Sequence, residues 1–195
     1  MDGHSFTQAH YTVLQSSTLV APYIEEHMNI ARSKNPGQSE SWIKHEHMET
    51  FAGWLQTHLM NDNTIGDQLY LLARLPSSTI MTFQGYEING NTFYMIAQDK
   101  KSTNQNSGIH FDATNNDGSK DTYYGYIEEI WELDYGPTLK VPLFRCKWVK
   151  LTSGLKVDEQ YGMTTVHLNN LAYLEEPFVL ANDVTQVFYV KDMKT

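Results

Sequence analysis

The chain has 195 residues, 41% hydrophobic and 19% charged, with a formal net charge of -9. Those proportions describe a folded protein, long enough to bury a core without cross-links, and the acidic balance disfavours broad electrostatic capture of nucleic acid. The single cysteine, Cys146, excludes an internal disulfide and suits a reducing compartment, nuclear or cytosolic. No apolar run reaches membrane-spanning length, and the start, MDGHSFTQAH, lacks the apolar core of a secretory signal.

Taken in order, residues 1–18 are polar and mixed, and no stable order is expected there. Residues 19–33 predict a helix opening near Pro22, with Tyr23, Ile24 and Met28 near helical spacing. Asn35-Pro36-Gly37 breaks it, and Ser39 is placed to cap the next helix, with Glu40 in its first turn. That helix should cover about 40–60, with Ile43, His47, Phe51, Trp54, Leu55, His58 and Leu59 near one face. A short third helix, starting at Thr64 or Asp67, must end near Leu75, before Pro76.

From Thr79 the apolar period changes to two. Asn89-Gly90 between two such runs predicts a hairpin with a type I′ turn, because both positions accept positive φ. Residues 99–121 are rich in Asn, Asp, Ser and Gly and read as a long flexible loop holding a short strand near 108–113. Two long strands then run through 123–148 around a turn at Gly136-Pro137. A four-residue turn sets Tyr135 against Lys140, Trp131 against Phe144, and Glu128 against Lys147, with apolar pairs on one face and charges on the other. Glu129 conflicts with that register, so a β-bulge is expected near Glu128-Glu129, turning Glu129 out and Ile130 in and shifting the pairings on one side of it. Ser153-Gly154 makes the next turn, residues 162–168 a short strand, and 178–190 the last strands, kinked at Asn182-Asp183. The expected fold class is α+β: two or three N-terminal helices over 19–75, then a mainly antiparallel small β-barrel or sandwich over 79–192. Trp131, Phe144, Trp148, Phe178, Val187 and Tyr189 are the expected core.

Several long blocks carry a resemblance: GYEINGNTFYMIAQDKKSTNQNSGIHFDA (85–113), YYGYIEEIWELDY (123–135), VPLFRCKWV (141–149) and EPFVLANDVTQVFYVKD (176–192). They resemble the domain of unknown function beside the transposase in plant CACTA, or En/Spm-type, transposons. The upstream block 25–55 resembles the tail of the neighbouring domain in those polyproteins. The resemblance implies a non-catalytic, transposase-associated module acting in a plant nucleus. It also implies a truncated or domesticated fragment, with the catalytic core upstream and a transposase or another transposon-encoded protein as partner.

The residues themselves offer little chemistry. His27, His45, His47 and His58 lack the i, i+4 His-His spacing of a helical metal site and read as packing and polar surface. Cys146 alternates with Phe144 and Trp148 and reads as a buried, inert thiol. Glu128, Glu129, Glu132 and Asp134 read as a solvated or salt-bridged row, and Asp112, Asp117 and Asp121 lack calcium-loop spacing. No catalytic residue, cofactor or metal is expected. The contact candidates are Lys140, Arg145, Lys147 and Lys150, with Lys156 beyond them and Tyr124 and Tyr126 nearby. A nucleic-acid strand on these residues is the alternative to protein docking. Neutralisation by the facing glutamates is the simpler account.

Overall fold

The computed structural model describes residues 3–60, 64–101, 105–114, 118–158 and 160–190. The chain is α+β, with mostly antiparallel strands, in two compact units: Met1–Met81 with Glu132–Val141, and Thr82–Trp131 with Pro142–Thr195.

The first unit is helical. Residues expected to lack order form α1 (Gly3–Gln15). Its buried side is unusually polar, with Ser5, Gln8, His10 and Thr12 beside Ala9, Val13 and Leu14, which hides it from an apolar-periodicity reading. α2 (Ala21–Lys34) has Pro22 in its first turn, where a missing N–H is harmless. α3 (Glu40–Leu59) starts at the expected cap: the Ser39 hydroxyl accepts the Trp42 N–H at 3.2 Å. Ile43, His47, Met48, Phe51, Leu55 and Leu59 form its buried stripe, and α1, α2 and α4 (Asp67–Ala73) pack against it.

The second unit begins with β1 (Met81–Phe83), β2 (Gly85–Ile88) and β3 (Asn91–Tyr94). Asn89 and Gly90 have φ of 52° and 76°, the two positive values that a type I′ turn requires. After a single turn, α5 (Ile96–Asp99), come β4 (Gly108–Thr114), β5 (Lys120–Asp134) and β6 (Lys140–Val149). The expectation of a flexible loop over 99–121 falls partly on residues 102–104 and 115–117, outside the described residues. Another single turn, α6 (Leu151–Gly154), leads to β7 (Leu155–Asp158) and β8 (Met163–Val166), then β9 (Leu171–Ala172), β10 (Phe178–Leu180) and β11 (Val184–Gln186).

The main sheet runs β10-β6-β5-β4-β11, with β1 also on β5 and β9 also on β6. It is open. The expected barrel is therefore corrected: the end strands β10 and β11 pair with β6 and β4 and not with each other, so the sheet does not close, and β2–β3 and β7–β8 stand as separate ribbons. The core lies on one face of this sheet, where Ile109, Ile127, Ile130, Phe144, Cys146, Trp148 and Val179 meet Phe93 of the β2–β3 ribbon. Phe93 and Phe144 have ring centres 5.1 Å apart.

At the hairpin tip the Tyr135 N–H bonds to Leu139 O at 3.0 Å, so Tyr135 meets Leu139 rather than the expected Lys140. An Asx turn, Asp134 Oδ1 accepting the Gly136 N–H at 2.8 Å, tightens the loop by one residue. Further along β5, Ile127 and Ile130 are both fully buried with two half-buried glutamates between them. One extra residue has broken the alternation, as a bulge does. Glu129 is turned out and Ile130 in, as expected, but Trp131 also leaves the core face. Trp131 is buried against Phe178, ring centres 4.8 Å apart, instead of opposing Phe144. Val187 and Tyr189, expected in the core, are only half-buried, because β11 stops at Gln186.

Candidate functional site

The expected contact residues divide among different places. Lys140 sits at the hairpin tip, 3.9 Å from Asp134. Lys150 follows β6 and Lys156 lies on β7, both exposed. Arg145 and Lys147 share a cluster with Glu128 and Glu129 of β5, on the sheet face away from the core. The register fixes that orientation: Val179 opposes Phe144 on the core face, so Phe178 and Arg145 lie together on the other.

On this outer face Arg145 Nη1 is 2.8 Å from Glu129 Oε1 and 3.9 Å from Glu128 Oε2, and Lys147 Nζ is 3.6 Å from Glu128 Oε1. The second Glu129 oxygen accepts the Trp131 indole N–H at 2.7 Å. Two cations therefore face two carboxylates, and the charges cancel locally. The side chains are about one-third exposed, from 29% for Arg145 to 39% for Glu129, so the pairs are partly screened by solvent. Tyr126 stands next along the strand, its phenol pKa raised by burial and by the Glu128 charge. Tyr124 packs its ring 5.9 Å from His110, which lies 3.7 Å from Asp112. The result is a row of aromatic and guanidinium groups with no net positive charge.

Cys146 lies on β6. It is 2% exposed in the core, and burial pushes its thiol well above the ordinary range. Among the described residues no group of three or more His, Cys, Asp or Glu side chains could hold a metal ion. Asp117 lies outside them; Asp112 accepts the Thr122 hydroxyl at 2.7 Å.

Sequence reasoning missed a second cluster, in the helical unit. His27 of α2 and His47 of α3 meet Nδ1 to Nδ1 at 2.8 Å, and His10 of α1 bonds to the Tyr135 hydroxyl at 2.7 Å. All three rings are buried. His47 was legible as part of the α3 stripe; His27, four residues before buried Ala31, had only that spacing as a signal. Nothing local could pair His10 with a tyrosine 125 residues away.

Compared with known proteins, residues 131–195 match a family model described as a domain of unknown function, DUF4216. That is the final third of the chain, from Trp131 through β6 and the last strands. No curated protein matches the chain, and no solved structure does.

Proposed function

We propose that the chain is a non-catalytic interaction module of a transposon-encoded, transposase-associated protein, acting in a plant nucleus and docking a protein partner through the outer face of the sheet. The transposon setting rests on the CACTA-type sequence blocks, and the DUF4216 match to residues 131–195 overlaps three of them. The observation that carries the docking reading is the face built by Tyr124, Tyr126, Arg145 and Lys147. Tyrosine and arginine are the side chains that dominate protein interfaces, offering large contact area and directional donors. Glu128 and Glu129 already occupy the two cations, which disfavours the alternative of a small β module tracking a phosphate backbone.

Immobilised full-length chain should retain the transposase of a CACTA-type element at roughly micromolar concentration. Replacing Tyr126 and Arg145 together by alanine should weaken retention about tenfold or more. No retention, or retention unchanged by the double variant, removes the proposal. Binding of a short oligonucleotide that weakens steeply with added salt would favour the nucleic-acid alternative instead.

A further inference from the structure

We propose that the helical unit carries a proton-operated release: His27 and His47 join α2 to α3, and His10 joins α1 to Tyr135 at the tip of the β5–β6 hairpin, only while uncharged, and mild acid opens the unit. This stands apart from the docking reading and holds whatever partner the sheet takes.

The geometry begins with the His27–His47 pair. Their Nδ1 atoms are 2.8 Å apart, so one ring supplies the proton and the other the lone pair. The pair sits among aromatic rings: Trp54 lies 4.9 Å from His27, Phe51 4.7 Å from His47, and Tyr11 of α1 meets His47 edge-on at 5.5 Å. His47 Nε2 is buried with no hydrogen-bond partner among the described residues. A proton taken up at His47 Nε2 thus brings a charge into an aromatic setting, with no acceptor there among the described residues to receive the new N–H. A second proton sets two N–H groups against each other across the same gap, with like charges behind them.

The surrounding charges do not relieve this. Lys34 of α2 and Glu46 of α3 are the charged groups felt by His27, and they act in opposite directions. His47 feels chiefly burial and then His27 itself, and from α1 it faces a phenol. His10, 2% exposed, faces the Tyr135 hydroxyl and is shifted by burial alone.

Burial lowers His10 and His47 to about 4, and His27 is shifted the same way. Each folded value lies below the unfolded value of about 6.5. The unfolded chain therefore binds protons first: stability is fully present above that value and is lost as pH falls from it toward 4. For one such group, going from pH 7 to pH 5 lowers the folding constant about twentyfold, and two groups multiply.

Urea unfolding of the full chain, followed by its helical circular dichroism at pH 7 and pH 5, tests the release. A loss of about a hundredfold or more in the folding constant is expected, and His47→Gln, which keeps a neutral hydrogen-bonding group, should recover at least tenfold of it. Equal stability at the two pH values, or an undiminished acid loss in the variant, overturns the proposal. Should the variant fail to fold, the imidazole proton resonances of the unmodified chain decide. Rings of His27 and His47 that stay neutral in the folded state down to about pH 5 support the release; titration near 6.5 refutes it.

Discussion

Trp148 shows what single residues do here. Its indole is 5% exposed, in the core with Ile127 and Cys146, with the Tyr123 ring 6.5 Å away. Gly125 opposite has no side chain for a definite reason: a Cβ there would run into the Lys147 carbonyl oxygen and the Trp148 ring. Trp148→Ala should cost about 3–5 kcal/mol in urea unfolding, as for other large buried aromatics. A variant that unfolds with the parent would remove Trp148 from the core. Trp131 is as deeply buried, at 3%, yet on the other face of the sheet, tied to Glu129 and Phe178. Alternation alone had put both indoles on one face. The misfit of Glu129 gave the bulge away, but the side to which Trp131 then turns depends on Phe178, 47 residues further on, and no local rule supplies that.

At the scale of elements, local chemistry decided starts and turns. The Ser39 hydroxyl caps α3 where the sequence placed it, because a short oxygen one residue before a helix can reach the otherwise unpaired N–H groups. Ser39→Ala should lower stability by about 1 kcal/mol, and glycine there should cost only a few tenths. Equal midpoints for the serine and alanine forms would show the cap to be idle. The Asn89-Gly90 hairpin was equally legible, since few residue pairs tolerate two positive φ values in succession. α1 was not, because its buried side mixes Ser, Gln, His and Thr with Ala, Val and Leu and so carries no clean apolar period. The β7–β8 ribbon was half legible: Met163–Val166 shows alternation, whereas Leu155–Asp158 ends in exposed polar groups and needs its partner to register as a strand.

For the molecule as a whole, the tip of the β5–β6 hairpin counts with the helices, although most of both strands belongs to the other unit. The contact that marks this is His10 to the Tyr135 hydroxyl, with Ser77 N–H also bonded to Asp134 O at 2.8 Å. Tyr135→Phe removes the buried hydroxyl bonded to His10 and leaves a buried imidazole nitrogen unsatisfied. It should destabilise the helical signal by about 1–3 kcal/mol, and unchanged helix stability in urea would argue against the link. The sequence by itself determined the α+β class, the Ser39 cap and the type I′ turn, since each can be read from the pattern of neighbours within a few positions. Tertiary structure alone decided that the sheet stays open, that Trp131 packs on Phe178 away from the core face, and that three distant histidines share a buried unit. The physical reason is range: strand order, ion pairing and burial of a proton site depend on residues brought together from far along the chain.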